Sequence, residues 1–107
     1  MGSSYNYQAT IVKIVDGDTV KLDIDLGFKI HIAVTARLHG INAPEGKTTE
    51  ASDYLKAQIP EGSSVRVETY KTADKYGRWL VDIYYNGDKL INKELIEKNL
   101  AVIYFHG

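Results

Sequence analysis

Seven residues, Thr19-Val20-Lys21-Leu22-Asp23-Ile24-Asp25, alternate apolar and polar without interruption. Successive side chains of a strand point to opposite faces, so Val20, Leu22 and Ile24 line one face and Lys21, Asp23 and Asp25 the other. A strand of this kind is half-buried, with core on one side and water on the other. Its neighbours read the same way. Residues 9–15 are β-branched and short, and lead into an Asp16-Gly17-Asp18 turn. After Gly27 breaks the pattern, residues 29–38 form a third strand with Ile30, Ile32 and Val34 on one face.

Pro44 ends this region and a polar loop follows. Thr48 or Thr49 can N-cap a helix running to about Ile59, with Ala51, Tyr54, Leu55 and Ile59 at helical spacing and Glu50 suited to the positive end of the dipole. Pro60-Glu61-Gly62 stops it. Val65, Val67 and Thr69 alternate as a fourth strand, and residues 79–85 form a fifth, closed by an Asn86-Gly87 turn. A second helix is expected with Asn92 as N-cap, stapled by Ile91 and Ile96 and ended by a left-handed Asn99. The fold class is therefore mainly β with two helices, in the pattern of a five-stranded OB-fold barrel.

At 107 residues, 44% hydrophobic and 25% charged, the chain is long enough for one domain with one modest core. The domain is placed at residues 7–107, with residues 1–6 read as disordered or added in cloning. No cysteine is present, which rules out disulfides and thiolate metal sites. The formal net charge is −1, so any anion-binding site must be local or helped by a bound cation. No apolar run approaches the ~20 residues that span a bilayer, so no membrane partner is expected. No signal peptide is visible, and secreted and cytoplasmic locations both stay open.

Three short clusters carry chemistry: Asp16-Gly17-Asp18-Thr19, then Arg37-Leu38-His39-Gly40-Ile41-Asn42-Ala43-Pro44-Glu45, then Asp74-Lys75-Tyr76-Gly77-Arg78. Each is unremarkable alone: an Asx turn, a strand end, a solvated loop. Together and in this order they resemble the staphylococcal nuclease family, whose pattern is Asp-Gly-Asp-Thr, an Arg-Leu stretch ending in Asp-x-Pro-Glu, and Asp-Lys-Tyr-Gly-Arg. Residues 9–13 and Leu100-Ala101 extend the resemblance over nearly the whole chain.

The resemblance implies an OB-fold barrel and a monomeric, calcium-dependent phosphodiesterase acting on DNA or RNA with low sequence preference. It further implies that single strands bind best and that products end in 3′-phosphates. Carried over by position, Asp18, Asn42 and the backbone carbonyl of Ala43 would be metal ligands. Arg37 and Arg78 would grip the scissile phosphate, and Glu45 would position or deprotonate the attacking water. Lys75 and Tyr76 would contact a terminal phosphate, and Tyr104 or Phe105 would stack on a base.

These roles suit the residue types. Calcium takes hard oxygen ligands, and the planar fork of arginine matches two phosphate oxygens at once. The chain departs from the pattern in three places. Asn42 stands where the family has a carboxylate, residues between Asp18 and Arg37 are more numerous, and no C-terminal helix follows before Gly107. The competing expectation is an OB-fold module that holds single strands without cutting; keeping Arg37, Glu45 and Arg78 together argues against it. His31, His39 and His106 are not spaced as metal ligands, and Trp79 reads as packing.

Overall fold

A computed structural model describes residues 4–46, 49–73 and 78–104. Their strands and helices follow one another as β1 (Ser4–Asp16), β2 (Thr19–Asp25), β3 (His31–Leu38), β4 (Ile41–Asn42), α1 (Glu50–Gln58), β5 (Ser64–Ala73), β6 (Trp79–Tyr85), β7 (Lys89–Leu90), α2 (Ile91–Glu97) and β8 (Val102–Ile103). The main sheet runs β3-β2-β1-β5-β6-β7, and a further pairing of β3 with β6 closes five of these strands into a barrel. The mainly β barrel with two helices is the architecture expected from the sequence.

The alternation in β2 is realised: Val20, Leu22 and Ile24 are wholly buried. They meet Leu38 from β3, Val67 from β5, and Val81 and Ile83 from β6 inside the barrel. Leu55 of α1 and Ile91 and Leu95 of α2 plug this core. Burial of such side chains is worth roughly 1.5–3 kcal/mol each, the main favourable contribution to folding. A barrel of this size is filled by its own side chains.

β1 starts at Ser4, five residues before the Ala9 start read from the sequence. Ser4, Tyr5 and Asn6 pair with Tyr70, Thr69 and Glu68 of β5, so ordered pairing begins ahead of Tyr7. The Tyr5 and Tyr7 rings stack with centroids 6.4 Å apart. β1 serves two partners, β5 along its first half and β2 along its second, with register shifts between Ile11 and Lys13 and between Ile14 and Asp16. Shifts of this kind bend a strand round a barrel corner.

β3 starts at His31, two residues after the expected Lys29. Gly27, Phe28 and Lys29 all have positive φ, at 83°, 55° and 64°. Leu26 N–H donates to the Ile30 carbonyl and Ile30 N–H to the Gly27 carbonyl, so the reversal takes these residues for a turn. Ile30 is therefore exposed and does not join Ile32 and Val34.

α1 is capped as predicted by the second of the two threonines: Thr49 Oγ1 accepts from Ser52 N–H at 3.2 Å. The Asn86-Gly87 turn is present with φ positive at both residues, and Asn99 is left-handed at 59°. α2 differs. Its N-cap is Leu90, with no side-chain cap. The Asn92 side chain is buried and turned to the barrel, where Oδ1 accepts from Ile83 N–H and Nδ2 donates to the His39 and Val81 carbonyls and to Asp82 Oδ1. Asn92 ties the helix to β6, a use that its cap-like spacing conceals. No helix among the described residues is long and apolar enough to cross a membrane.

Candidate functional site

The β1–β2 turn brings two carboxylates to one end of the barrel. Asp18 N–H donates to Asp16 Oδ1 at 3.2 Å, which closes an Asx turn. Burial is the main cause that pushes the Asp16 carboxyl above the usual carboxylate range, aided by the Asp18 side chain and its charge and opposed by the Asp18 N–H that it accepts. A Cβ on Gly17 would lie 2.5 Å from Ala51 Cβ and 3.0 Å from Ala43 Cβ. The glycine therefore lets α1 and the segment after β4 press against the turn.

Asp18 is 3% exposed, and Arg37 of β3 is 8% exposed. Burying either charge without partners would be costly. Asp18 Oδ1 accepts from Thr19 Oγ1 at 3.0 Å. Its Oδ2 accepts from Ala43 N–H at 2.9 Å and faces Arg37 Nη1 at 3.2 Å. Arg37 Nη2 donates to the Ile41 carbonyl at 3.1 Å and to Asn42 Oδ1 at 2.9 Å. The guanidinium thus rests on one carboxylate, one amide oxygen and one backbone carbonyl.

Backbone pairing explains why these groups meet. Thr19 pairs with Arg37 across β2 and β3, and Leu38 N–H donates to the Asp18 carbonyl at 2.8 Å. The short β4–β8 ladder pairs Ile41 with Ile103 and Asn42 with Val102, and Tyr104 N–H then donates to the Gly40 carbonyl. This sets the half-exposed Tyr104 ring over Arg37, with Cζ 5.6 Å from the ring centroid. At that distance ring and cation attract.

The family described as staphylococcal nuclease homologue matches residues 35–107, well over half of the chain. The chain belongs to the staphylococcal nuclease family. Endonuclease YhcR of Bacillus subtilis (strain 168) is 29% identical over 116 residues, covering 92% of this chain and 9% of its own length. Staphylococcal-like nuclease CAN1 of Arabidopsis thaliana is 43% identical over 68 residues, 61% of this chain and 20% of its own. An uncharacterized endonuclease of Escherichia coli O157:H7 is 31% identical over 97 residues, 88% of this chain and 59% of its own. The chain thus spans well under two thirds of the length of each of these relatives.

Of the residues that the staphylococcal nuclease pattern singles out, Asp18, Arg37, Asn42, Ala43 and Tyr104 come together. Glu45 is exposed on the loop after Pro44, outside this hydrogen-bonded set. Arg78 is half-buried and directly precedes Trp79, which pairs with Ala36, the neighbour of Arg37. Lys75, Tyr76 and Phe105 lie outside the described residues, as does His106. His31 and His39 face Asp23 and Asp82 at 3.5 and 3.8 Å, away from this set. Trp79 packs against the core.

Three contributors escaped sequence reading. Thr19 orients Asp18 through its hydroxyl, the Ile41 carbonyl holds Arg37, and Asp16 buttresses the turn. The first and third lie in the Asp-Gly-Asp-Thr cluster, where residue type hints at the role. A backbone carbonyl has no sequence signal.

The donor set fits a hard divalent cation. Asp18 Oδ2 and Asn42 Oδ1 already converge on one positive charge, that of the guanidinium, and both are oxygens. Among the described residues no group of three His, Cys, Asp or Glu side chains forms, so a cation here would rely on amide and carbonyl oxygens, water or substrate for its other ligands.

Proposed function

We propose that this domain is a metal-assisted nuclease that hydrolyses single-stranded or frayed DNA and RNA with little sequence preference. The supporting observation is the guanidinium of Arg37, buried at the barrel end beside Asp18, Asn42 and the Ile41 carbonyl, and covered by an exposed tyrosine. Burying a cation is costly. The planar fork of arginine repays that cost where two oxygens of one phosphate must be gripped.

In this reading Arg37 and Arg78 bind the scissile phosphate and stabilise the charge that builds on its oxygens. Glu45 takes a proton from water as that water attacks phosphorus. The bond from phosphorus to the 5′ oxygen breaks, that oxygen takes up a proton, and the phosphate stays on the 3′ side. Asp18, Asn42 and the Ala43 carbonyl would hold calcium, which when bound supplies a hard positive charge on the phosphoryl oxygen and orients water. Tyr104 offers the outer face of its ring to a base, a contact indifferent to sequence. Lys75 and Tyr76 are assigned to a terminal phosphate, and the protein acts as a monomer.

One observation favours a second reading, an OB-fold that binds single strands without cutting. Asn42 leaves Asp18 as the one carboxylate bonded to Arg37 among the described residues. Incubating the pure protein with single-stranded DNA and RNA at millimolar calcium, or with a chelator, decides between them. Calcium-dependent cleavage is expected. Retention of intact strands by the protein over hours would establish the binding module instead.

A further inference from the structure

Resting on the calcium reading above, we propose that Arg37 and the metal compete for the same oxygens, so that cation binding releases the guanidinium to the phosphate. Two of the three acceptors that hold Arg37 are side-chain oxygens assigned to the metal. Asp18 Oδ2 faces Nη1 at 3.2 Å and Asn42 Oδ1 accepts from Nη2 at 2.9 Å. Asp18 Oδ2 is already filled, because it also accepts from Ala43 N–H at 2.9 Å. A carboxylate oxygen offers about two lone-pair directions. A cation that takes this oxygen must displace one of its two partners.

The partners differ in how easily they leave. Ala43 N–H is backbone, held next to β4 by the β4–β8 ladder. The guanidinium sits on a flexible stem and carries positive charge, so a divalent ion a few ångströms away repels it strongly where water is scarce. Arg37 is therefore the partner that leaves. Its other two acceptors, Ile41 and Asn42, are neutral. A neutral amide at position 42 holds arginine more weakly than a carboxylate would. Asn42 is thus a positioning residue that makes the hold on Arg37 releasable.

The surroundings give the freed group a direction. Asp16 and Asp18 lie on the β1–β2 turn, and the Tyr104 ring lies above Arg37 on the exposed side. A guanidinium leaving Asp18 keeps its contact with the ring and moves outward, to where a strand stacked on Tyr104 would present a phosphate. In the metal-free protein Arg37 serves as the counter-ion of Asp18, and in the loaded protein the cation takes over that role. The burial of Asp18 is then compensated in both states.

Nuclear magnetic resonance of the full chain with nitrogen-15-labelled arginine tests this in the absence of any phosphate. Without calcium, Arg37 should show slowly rotating, protected guanidinium protons. Calcium chloride at saturation should average these signals and speed their exchange with water. Calorimetry should find that Arg37→Gln binds calcium several-fold more tightly than the wild type. Because Arg37→Gln also removes a nearby charge, and loses a partner of a buried carboxylate, the wild-type spectrum carries the decision. If calcium shifts the Asp18 and Ala43 amide signals while Arg37 stays protected, the cation and the guanidinium share the site and competition is overturned. If calcium produces neither heat nor shifts in either protein, the calcium reading itself fails and this inference falls with it.

Discussion

Arg37 is where charge, geometry and burial bear on a single side chain. Lysine at this position would keep the charge but could not present two donors in one plane to the oxygens of a phosphate. Arg37→Lys should therefore lower turnover on single-stranded DNA by about 10²–10³-fold, the scale of losing one preorganised donor to a transition-state oxyanion. Near wild-type turnover would reduce Arg37 to a source of charge. Asp16 allows a test by pH. Its carboxyl is held above the usual range, chiefly by burial. An acid whose folded pKa is raised favours folding below its unfolded value, and this contribution is lost as pH rises through the folded value. Asp16→Asn keeps an oxygen for the Asp18 N–H and removes the titration. Urea midpoints from about pH 4 to 7 should show the variant gaining on the wild type as pH rises, and a constant difference would contradict the raised pKa. The sequence made Asp18, Arg37, Asn42 and Ala43 legible as a set, because their motif spacing is distinctive, while Tyr104 and Phe105 are a pair of alternatives outside any motif. It could not show that the Asn42 amide turns to Arg37, since an exposed amide after a strand has many equally good partners.

At the scale of elements, helix α2 and the β2–β3 turn both differ from sequence expectation. Asn92 looked like a cap because asparagine before an amphipathic run usually is one. Tertiary hydrogen bonds to β6 and to His39 outcompeted that local role. Asn92→Ala would leave the Ile83 N–H without its buried amide oxygen and remove three bonds that the amide donates, although the Val81 carbonyl keeps the His39 N–H. It should cost about 3 kcal/mol, measured by chemical denaturation, where loss of a cap alone would cost about 1. The break at Gly27 was legible, but the extension of the turn through Lys29 was hidden because Phe28 and Lys29 carry no turn signal, yet both adopt left-handed angles. Phe28 is 96% exposed and packs on nothing that would repay this strain. Phe28→Gly should therefore stabilise the fold by about 1 kcal/mol. A loss of stability would show that the ring makes contacts in solution. Strands β2 and β6, by contrast, were read to the residue, since alternation with a buried face fixes register strongly.

For the whole molecule, the formal charge of −1 limits how the domain can hold a polyanion. Arg37, Arg78 and Lys75 are the side-chain cations assigned to phosphate above, so few counterions would be released on binding. The logarithm of affinity for single-stranded DNA should fall with the logarithm of salt at a slope of about −2 or shallower, on the scale of roughly 0.7 per phosphate contact. A much steeper slope would point to a basic surface beyond Arg37, Arg78 and Lys75. A closed barrel could be anticipated from five short strands interspersed with helices. Which strands bring about its closure could not, because the parallel β3–β6 pairing joins strands far apart in sequence and leaves no local signature.

That closure settles when the chain becomes competent. Arg37 pairs with Thr19 on one side of β3 and with Leu80 on the other, and the second pairing is the seam of the barrel. Long-range parallel pairing of this sort is slow to form, since loop closure must come before any contact rewards it. An emerging or half-folded chain would have the Asp-Gly-Asp-Thr turn and the first hairpin but no completed cradle. The domain would thus stay harmless to nearby RNA until its last strands were in place. Cleavage would then serve as a clock for folding, starting only when the barrel shuts.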